Sequence, residues 1–254
     1  MKKHLVCLAI AALGSTAAVA APVSFAGSND PLSASVSFDV VNGQLQVVLS
    51  NTSQNDVRIG DHVLTAVFFD IAGVTLSPLA AISGGATYQG TDWISGAGTN
   101  VGGEWAFKSD LNQYGASLGI SSSGLGLFGP FARFDTSTNL AGPATPDGLQ
   151  YGITSTADDR TTGTGQHHSE GGVINSPLTV GSVTFLFNVR GTVDLASISK
   201  VTFQYGTGLD EPHFAGTPVD GGGGSGSAVP EPATLALAGA ALLGLAASRR
   251  RRAG

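Results

Sequence analysis

The stretch "SVSFDVVNGQLQVVLS", residues 35–50, decides the fold class. Its apolar residues alternate with polar ones on both sides of Asn42-Gly43, with Val36, Phe38 and Val40 before the pair and Leu45, Val47 and Leu49 after it. A period of two places the apolar side chains of a strand on one face. Asn-Gly favours a two-residue turn because both central positions of a type I′ turn need a positive φ. The stretch therefore predicts a β-hairpin with one buried face.

The chain continues in the same manner as far as residue 220. The segment "HVLTAVFFDI", residues 62–71, is apolar on both faces and predicts a central strand covered on both sides. Further strands are predicted at 103–109, 116–120, 149–154, 182–190 and 198–205. Since no stretch between 30 and 220 has a sustained 3.6-residue period, residues 21–220 are predicted to form one all-β domain, an antiparallel sandwich or jelly-roll-like fold. Long Gly-rich or polar loops are expected at 83–102, 121–129, 135–148 and 155–172.

The amino terminus has the order of a secretory signal. Met1-Lys2-Lys3 is basic, residues 5–13 are apolar, and Ala18-Val19-Ala20 is a small-residue cleavage site. We predict a signal peptide over residues 1–20, exported through the Sec translocon and removed by signal peptidase; a buried amino-terminal helix is the alternative. The single cysteine, Cys7, lies in this segment, so the mature chain would hold no disulfide and no thiolate metal site.

The carboxyl terminus has three parts after a Gly/Ser-rich linker at 221–228. Val229-Pro230-Glu231-Pro232 is predicted to be extended, because prolines disfavour helix. The 16 apolar residues at 233–248 predict a transmembrane helix, about 24 Å long and short for a bilayer core of about 30 Å unless the bilayer thins locally. A cationic cluster follows and would stay in the cytoplasm, formed by Arg249, Arg250, Arg251 and Arg252. The alternatives are a hydrophobic helix docked on the domain and a Gly-Gly signal at 221–224.

This order of motif, apolar helix and arginine cluster at residues 229–254 resembles the PEP-CTERM sorting signal of Gram-negative bacteria. The resemblance implies recognition by exosortase, a membrane-embedded cysteine protease, followed by removal of the helix, so that association with the inner membrane is transient. The middle of the chain is similar, more diffusely, to exosortase-dependent surface proteins, in "LTAVFFDI" (64–71), "GGEWAFK" (102–108), "PDGLQYGI" (146–153) and "VTFQYGTGLDEP" (201–212).

The net charge of the part predicted to be exported limits the classes of partner that it could bind. Residues 21–228 carry 6 basic and 17 acidic side chains, a net charge of −11. Such a surface argues against nucleic acid and anionic lipid as partners.

Two groups of side chains are candidates for binding. The loop "ADDRTTGTGQHHSEGG", residues 157–172, offers Asp158, Asp159, His167, His168 and Glu170, but their spacing matches no zinc or calcium motif, so we predict a solvated loop, no metal and no cofactor. Trp93 and Trp105, together with Tyr88, Tyr114 and Tyr151, are candidates for stacking on sugar rings; packing in the core is the alternative, and the one favoured for Trp105.

Candidate catalytic groups have weak support. Gly115-Ala116-Ser117-Leu118-Gly119 has the form of a nucleophile elbow, but no helical pattern follows it. Glu104, Asp110 and Asp92 provide carboxylates whose separation the sequence does not define. Together with the PEP-CTERM resemblance, which implies a protein of the cell-envelope surface or extracellular matrix associated with biofilm exopolysaccharide, this predicts a non-enzymatic protein. The alternatives are a secreted carbohydrate-binding or adhesive sandwich and a secreted hydrolase.

Overall fold

The computed structural model of the chain describes residues 21–129, 133–135, 146–166 and 171–219. The predicted signal peptide (1–20), linker (221–228) and sorting signal (229–254) lie outside these residues. The described part has the strands β1 (Val23–Asn29), β2 (Leu32–Val41), β3 (Gln44–Asn51), β4 (Leu64–Asp70), β5 (Val74–Ser83), β6 (Thr87–Gln89), β7 (Asp92–Ser95), β8 (Ala106–Lys108), β9 (Leu118–Ser121), β10 (Ile153–Thr154), β11 (Pro177–Val180), β12 (Ser182–Gly191), β13 (Ser199–Tyr205), β14 (His213–Ala215) and β15 (Thr217–Val219). One short helix, α1 (Gly171–Ile174), and three 3₁₀ turns at Gly60–His62, Gly102–Glu104 and Leu195–Ser197 complete it.

The first sheet grows from the predicted hairpin. β2 and β3 pair antiparallel, and Asn42 and Gly43 between them have φ of 53° and 79°, as a type I′ turn requires. Further antiparallel pairs extend the sheet to six strands in the order β15-β1-β2-β3-β12-β5. The alternating apolar residues of β2 and β3 lie on the buried face of this sheet, which confirms the predicted hairpin and its single buried face.

The second sheet is organised around β4. Its main path is β14-β13-β4-β10-β11-β6-β7, while β9 also pairs with β4 and β8 pairs with β9. Six of the seven residues of β4 are buried, as predicted for a central strand. β10 and β11 pair parallel, which corrects the expectation of a wholly antiparallel fold. A parallel pair needs a long crossover, and residues 155–176 provide one.

The two sheets face each other across one aromatic core. Ring centroids of Phe38 in β2 and Phe69 in β4 are 5.1 Å apart. Phe107 in β8 and Phe187 in β12 are 5.0 Å apart. Contacts of this kind join both sheets in a single hydrophobic cluster, so the described domain is β-rich and layered, as predicted. Neither sheet closes on itself within the described residues.

Element boundaries differ from the predictions in the middle of the chain. The expected loop at 83–102 contains the β6–β7 hairpin, whose strands have only three and four residues. The strand predicted at 149–154 is reduced to β10, because Leu149 and Gly152 close a turn through a 2.9 Å backbone hydrogen bond. Strands this short have too few residues to show a period of two.

Both ends of the described domain lie at the same place. Ser24 at the start of β1 pairs with Val219 at the end of β15. We call this side of the sandwich the terminal end. β14 runs along β13 from Gln204 to Thr202 and then leads into β15, so it approaches the terminal end in that direction. β4 is antiparallel to β13, as β14 is, and therefore also ends there, at Asp70. The opposite side, where β4 begins at Leu64, is called the far end.

The core contact between the sheets gives a first prediction. Phe38 is fully buried and touches rings of both sheets, so Phe38→Ala should lower the free energy of unfolding by about 3–5 kcal/mol. Val41→Ala, on the same strand at a side chain that is 37% exposed, should change it by less than about 0.5 kcal/mol. Urea denaturation followed by tryptophan fluorescence measures both; equal destabilisation by the two variants would contradict a core centred on Phe38.

Candidate functional site

An exposed aromatic residue marks the edge of the second sheet. Trp93 in β7 is 63% exposed, the largest exposed fraction among the exposed large hydrophobic residues of the described domain. Its register partner on β6 is Tyr88. Side chains of directly opposed residues lie on the same face of a sheet, so the indole and the phenol share one surface. Ile94, which follows Trp93, has no register partner on β6, because the pairing shifts by one residue between Thr87 and Tyr88.

A guanidinium completes this surface. The Cζ atom of Arg160 lies 3.8 Å from the centroid of the Tyr88 ring, a cation–π contact. Neither of the two ion pairs among the described residues, Arg58–Asp56 and Lys200–Asp70, involves Arg160. We call Tyr88, Trp93 and Arg160 the hairpin surface.

The loop that carries Arg160 is held by hydrogen bonds from a distant segment. Asp158 Oδ1 accepts from the backbone N–H of Val57 at 2.8 Å, and Asp158 Oδ2 accepts from Thr164 Oγ1 at 2.7 Å. Arg58 Nε donates to the carbonyl oxygen of Thr162 at 2.7 Å. These bonds fix the loop backbone on both flanks of Arg160, and the cation–π contact places its guanidinium over Tyr88.

Two carboxylates border the hairpin surface along the chain, Asp92 beside Trp93 and Asp159 beside Arg160, and both residues are exposed. Hydrogen bonds from Thr161, together with the weaker effect of the Arg160 charge, hold the pKa of Asp159 below its ordinary value. The surface therefore combines apolar rings, a hydrogen-bond donor and carboxylate acceptors.

Trp105, the other candidate for sugar stacking, is fully buried. Its ring centroid lies 4.9 Å from that of Phe185 in the opposite sheet. A ring without accessible surface cannot stack on a sugar. The sugar-stacking hypothesis is therefore wrong for Trp105, and the alternative of packing in the core is right. Trp93 keeps the exposed position that stacking needs.

The candidate metal ligands are only partly described. Asp158 and Asp159 accept hydrogen bonds within their own loop, from Thr164 and Thr161. His167, His168 and Glu170 lie outside the described residues. Among the residues that are described, no group of three or more His, Cys, Asp or Glu side chains is arranged to hold a metal ion.

Ser117 stands just before β9, and a strand follows it where a nucleophile elbow would have a helix. Its Oγ donates to Asp70 Oδ1 at 2.6 Å, and Lys200 Nζ lies 2.9 Å from Asp70 Oδ2. Partial burial alone would raise the pKa of Asp70, but the bonds from Ser117 and Lys200 hold it below its ordinary value. The hydroxyl of Ser117 is thus bonded directly to a carboxylate.

Two adjoining cavities open near the free edge of β5. Their volumes are about 380 and 320 Å³, and both are lined by Leu76, Phe107 and Ser109. Ile71, Ser117 and Leu118 line the second, which places it towards the terminal end. These cavities are the size of small-molecule sites, but their walls bring together few charged groups.

Glu104 is a buried carboxyl that the sequence did not distinguish from its neighbours. Glu104 is 2% exposed, and its Oε1 atom has no hydrogen-bond partner among the residues that the structure describes. Burial raises the pKa of Glu104 to about 7, against the opposing charge of Arg133. Burial also raises the pKa of Tyr151 to about 12, and the charge of Glu104 adds to that rise. A carboxyl so enclosed is not open to a substrate.

The predicted sorting residues lie outside the described part of the chain. Within the described part, no helix has the length and the apolar composition needed to cross a bilayer. A family model described as the PEP-CTERM protein-sorting motif matches residues 228–252. The chain carries a PEP-CTERM sorting motif. No curated protein and no solved structure matches the chain.

The PEP-CTERM motif is that of an exported surface protein whose sorting depends on exosortase, which makes exosortase the processing partner. The match confirms the resemblance seen in the sequence. Its range includes the predicted motif, Val229 to Pro232, and the predicted cationic cluster, Arg249 to Arg252. It does not extend to the described domain, so the chemistry of the domain rests on its own geometry.

The buried carboxyl gives a prediction on pH. Between the ordinary pKa of 4.5 and the raised value of about 7, the folded state keeps a proton on Glu104 that the unfolded state has released. Stability therefore falls as pH rises through this window. Glu104→Gln, which cannot ionise, should melt at nearly the wild-type temperature at pH 4 and a few degrees above it at pH 8.

Asp147→Asn, at an exposed carboxylate, is the matched control and should show no such trend. Melting curves from circular dichroism at five pH values test the prediction. A difference between Glu104→Gln and wild type that does not change with pH would contradict it.

Proposed function

We propose that this protein is a non-catalytic component of the extracellular matrix, associated with biofilm exopolysaccharide. The observation that carries the proposal is the PEP-CTERM motif at residues 228–252, because it assigns the protein to the exported, exosortase-sorted class. The acidic composition of residues 21–228 agrees with a soluble protein in an aqueous matrix rather than with a nucleic-acid partner.

Export would proceed in two steps. The signal peptide, residues 1–20, directs the chain to the Sec translocon and is removed after Ala20. The apolar helix at 233–248 then halts translocation, because Arg249 to Arg252 stay in the cytoplasm. Exosortase acts at Val229 to Pro232, and the domain is released or attached at the surface, with only transient association with the inner membrane.

The placement of the chain ends supports a tethered intermediate. Since Ser24 pairs with Val219, the signal peptide and the sorting segment both join the domain at its terminal end. A domain held at one end leaves the far end free. The linker at 221–228, rich in Gly and Ser, would hold the folded domain away from the bilayer while the motif is processed.

Structural roles of the candidate catalytic groups support a non-catalytic domain. Ser117 is bonded to Asp70, and Glu104 is enclosed in the core. The alternative is a secreted hydrolase. Activity screening of the wild-type protein, with Ser117→Ala as the control, would detect it.

Processing at the carboxyl end is the direct test. Mass spectrometry of protein recovered from the cell surface should show no peptide beyond Glu231 or Pro232. Replacing Glu231 and Pro232 with alanine should leave the chain in the inner membrane with its arginine cluster, whereas Ser225→Ala in the linker should be processed as wild type. Surface protein with an intact carboxyl-terminal Arg249–Arg252 segment would overturn the proposal.

Processing at the amino end has a separate test. Edman sequencing of the exported protein should begin at Ala21. Ala20→Arg should retain residues 1–20, because a large charged side chain does not fit the small-residue site. Val19→Ala, at the middle position of Ala18-Val19-Ala20, should be cleaved normally. An exported chain that still begins at Met1 would refute the signal peptide.

A further inference from the structure

We infer that the hairpin surface of Tyr88, Trp93 and Arg160 binds a neutral polysaccharide, with a pyranose ring against the indole of Trp93. This inference deepens the proposed function, since it rests on an extracellular location and names the ligand class. It concerns the folded domain alone and does not depend on how the sorting motif is processed.

The exposure of Trp93 is the first step. A large aromatic side chain gains most from burial, yet this indole is 63% exposed on a strand of four residues. The other tryptophan of the chain is fully buried in the core. A flat apolar ring left in water, on the same face as a second aromatic residue, matches the apolar C–H face of a pyranose.

The fixed position of Arg160 is the second step. A guanidinium has five N–H donors in a planar arrangement. The Arg160 guanidinium stacks on the Tyr88 ring, and the bonds of Asp158 to Val57 and of Arg58 to Thr162 hold the loop that carries it. Preorganisation of this kind lowers the entropic cost of binding. Asp92 and Asp159 supply acceptors beside it. Sugar hydroxyls both donate and accept hydrogen bonds, so donors and acceptors at the rim of aromatic rings suit them.

Charge selects a neutral ligand. One guanidinium stands against two carboxylates near the surface, and residues 21–228 carry a net charge of −11. A polyanion such as a uronic acid polymer would be repelled both locally and at long range. A neutral hexose or pentose polymer meets no such repulsion.

The position of the hairpin surface in the domain agrees with binding of an extracellular polysaccharide. The strand register places Thr87 in β6 beside Thr179 and Thr179 beside Ile153. Ile153 in turn pairs with Leu64, which lies at the far end. The hairpin surface thus lies away from the terminal end, where the chain is tethered. The competing occupant is a second copy of the chain, pairing along the edge of β7, and it is an outcome of the test.

The experiment uses the full chain purified in detergent. Affinity electrophoresis is run in native gels that contain glucan, mannan, galactan or xylan, with alginate as the polyanion. Wild type should be retarded by at least one neutral polymer, equally at 50 and 500 mM NaCl. Trp93→Ala should weaken the binding at least about tenfold, and Arg160→Ala should weaken it in the same direction. Val219→Ala, at an exposed apolar residue of the terminal end, should bind as wild type.

A second readout uses the two tryptophans of the chain. Acrylamide should quench Trp93 and spare the buried Trp105, and the retarding polysaccharide should protect Trp93 from quenching. Trp93→Phe should abolish the protected signal while circular dichroism shows an unchanged fold.

Several outcomes would overturn the inference: retardation by none of the four neutral polymers, retardation by alginate alone, equal binding by Trp93→Ala and wild type, or a wild-type dimer that Trp93→Ala dissociates. Retention of the carboxyl-terminal tail on cells would contradict the proposed function and leave this result unaffected, so the two failures are distinguishable.

Discussion

Burial of β4 on both faces is the constraint on which the rest of the domain depends. On one face Phe69 meets Phe38 of the six-stranded sheet, and on the other Phe68 packs against Tyr114 and Phe128, with ring centroids 5.4 and 6.4 Å away. A strand enclosed in this way has no water to satisfy its backbone, so both of its edges must be paired. β13 pairs with one edge, and β9 and β10 share the other.

This arrangement of strands also determines where the surface features lie. β10 carries the sheet outward from β4 to β11 and β6, and ends it with the short strand β7. Trp93 lies on this last strand, and nothing in the described domain continues the sheet beyond β7. The loop holding Arg160 meets the hairpin where Arg160 stacks on Tyr88, and the bond from Val57 to Asp158 anchors that loop. A rigid framework thus presents side chains from separate parts of the chain.

The sequence predicted those features whose cause is local. The β2–β3 hairpin follows from alternation and from Asn42-Gly43, and the central position of β4 follows from its apolar character. The β6–β7 hairpin was missed because its strands are too short to show a period, and the parallel pairing of β10 depends on a partner that lies beyond a long crossover. The candidate elbow at Ser117 was a formal match whose context the sequence already disfavoured, since it predicted a strand at 116–120, and β9 confirms that strand.

By itself the sequence determined the sorting of this protein and its β-rich class, because a sorting motif is read as a linear segment and alternation is a property of neighbouring residues. Only the tertiary structure separated Trp93 from Trp105, placed Arg160 over Tyr88, and raised the pKa of Glu104. Burial, contact and pKa all depend on groups brought together from distant parts of the chain, and no local pattern records which groups those will be.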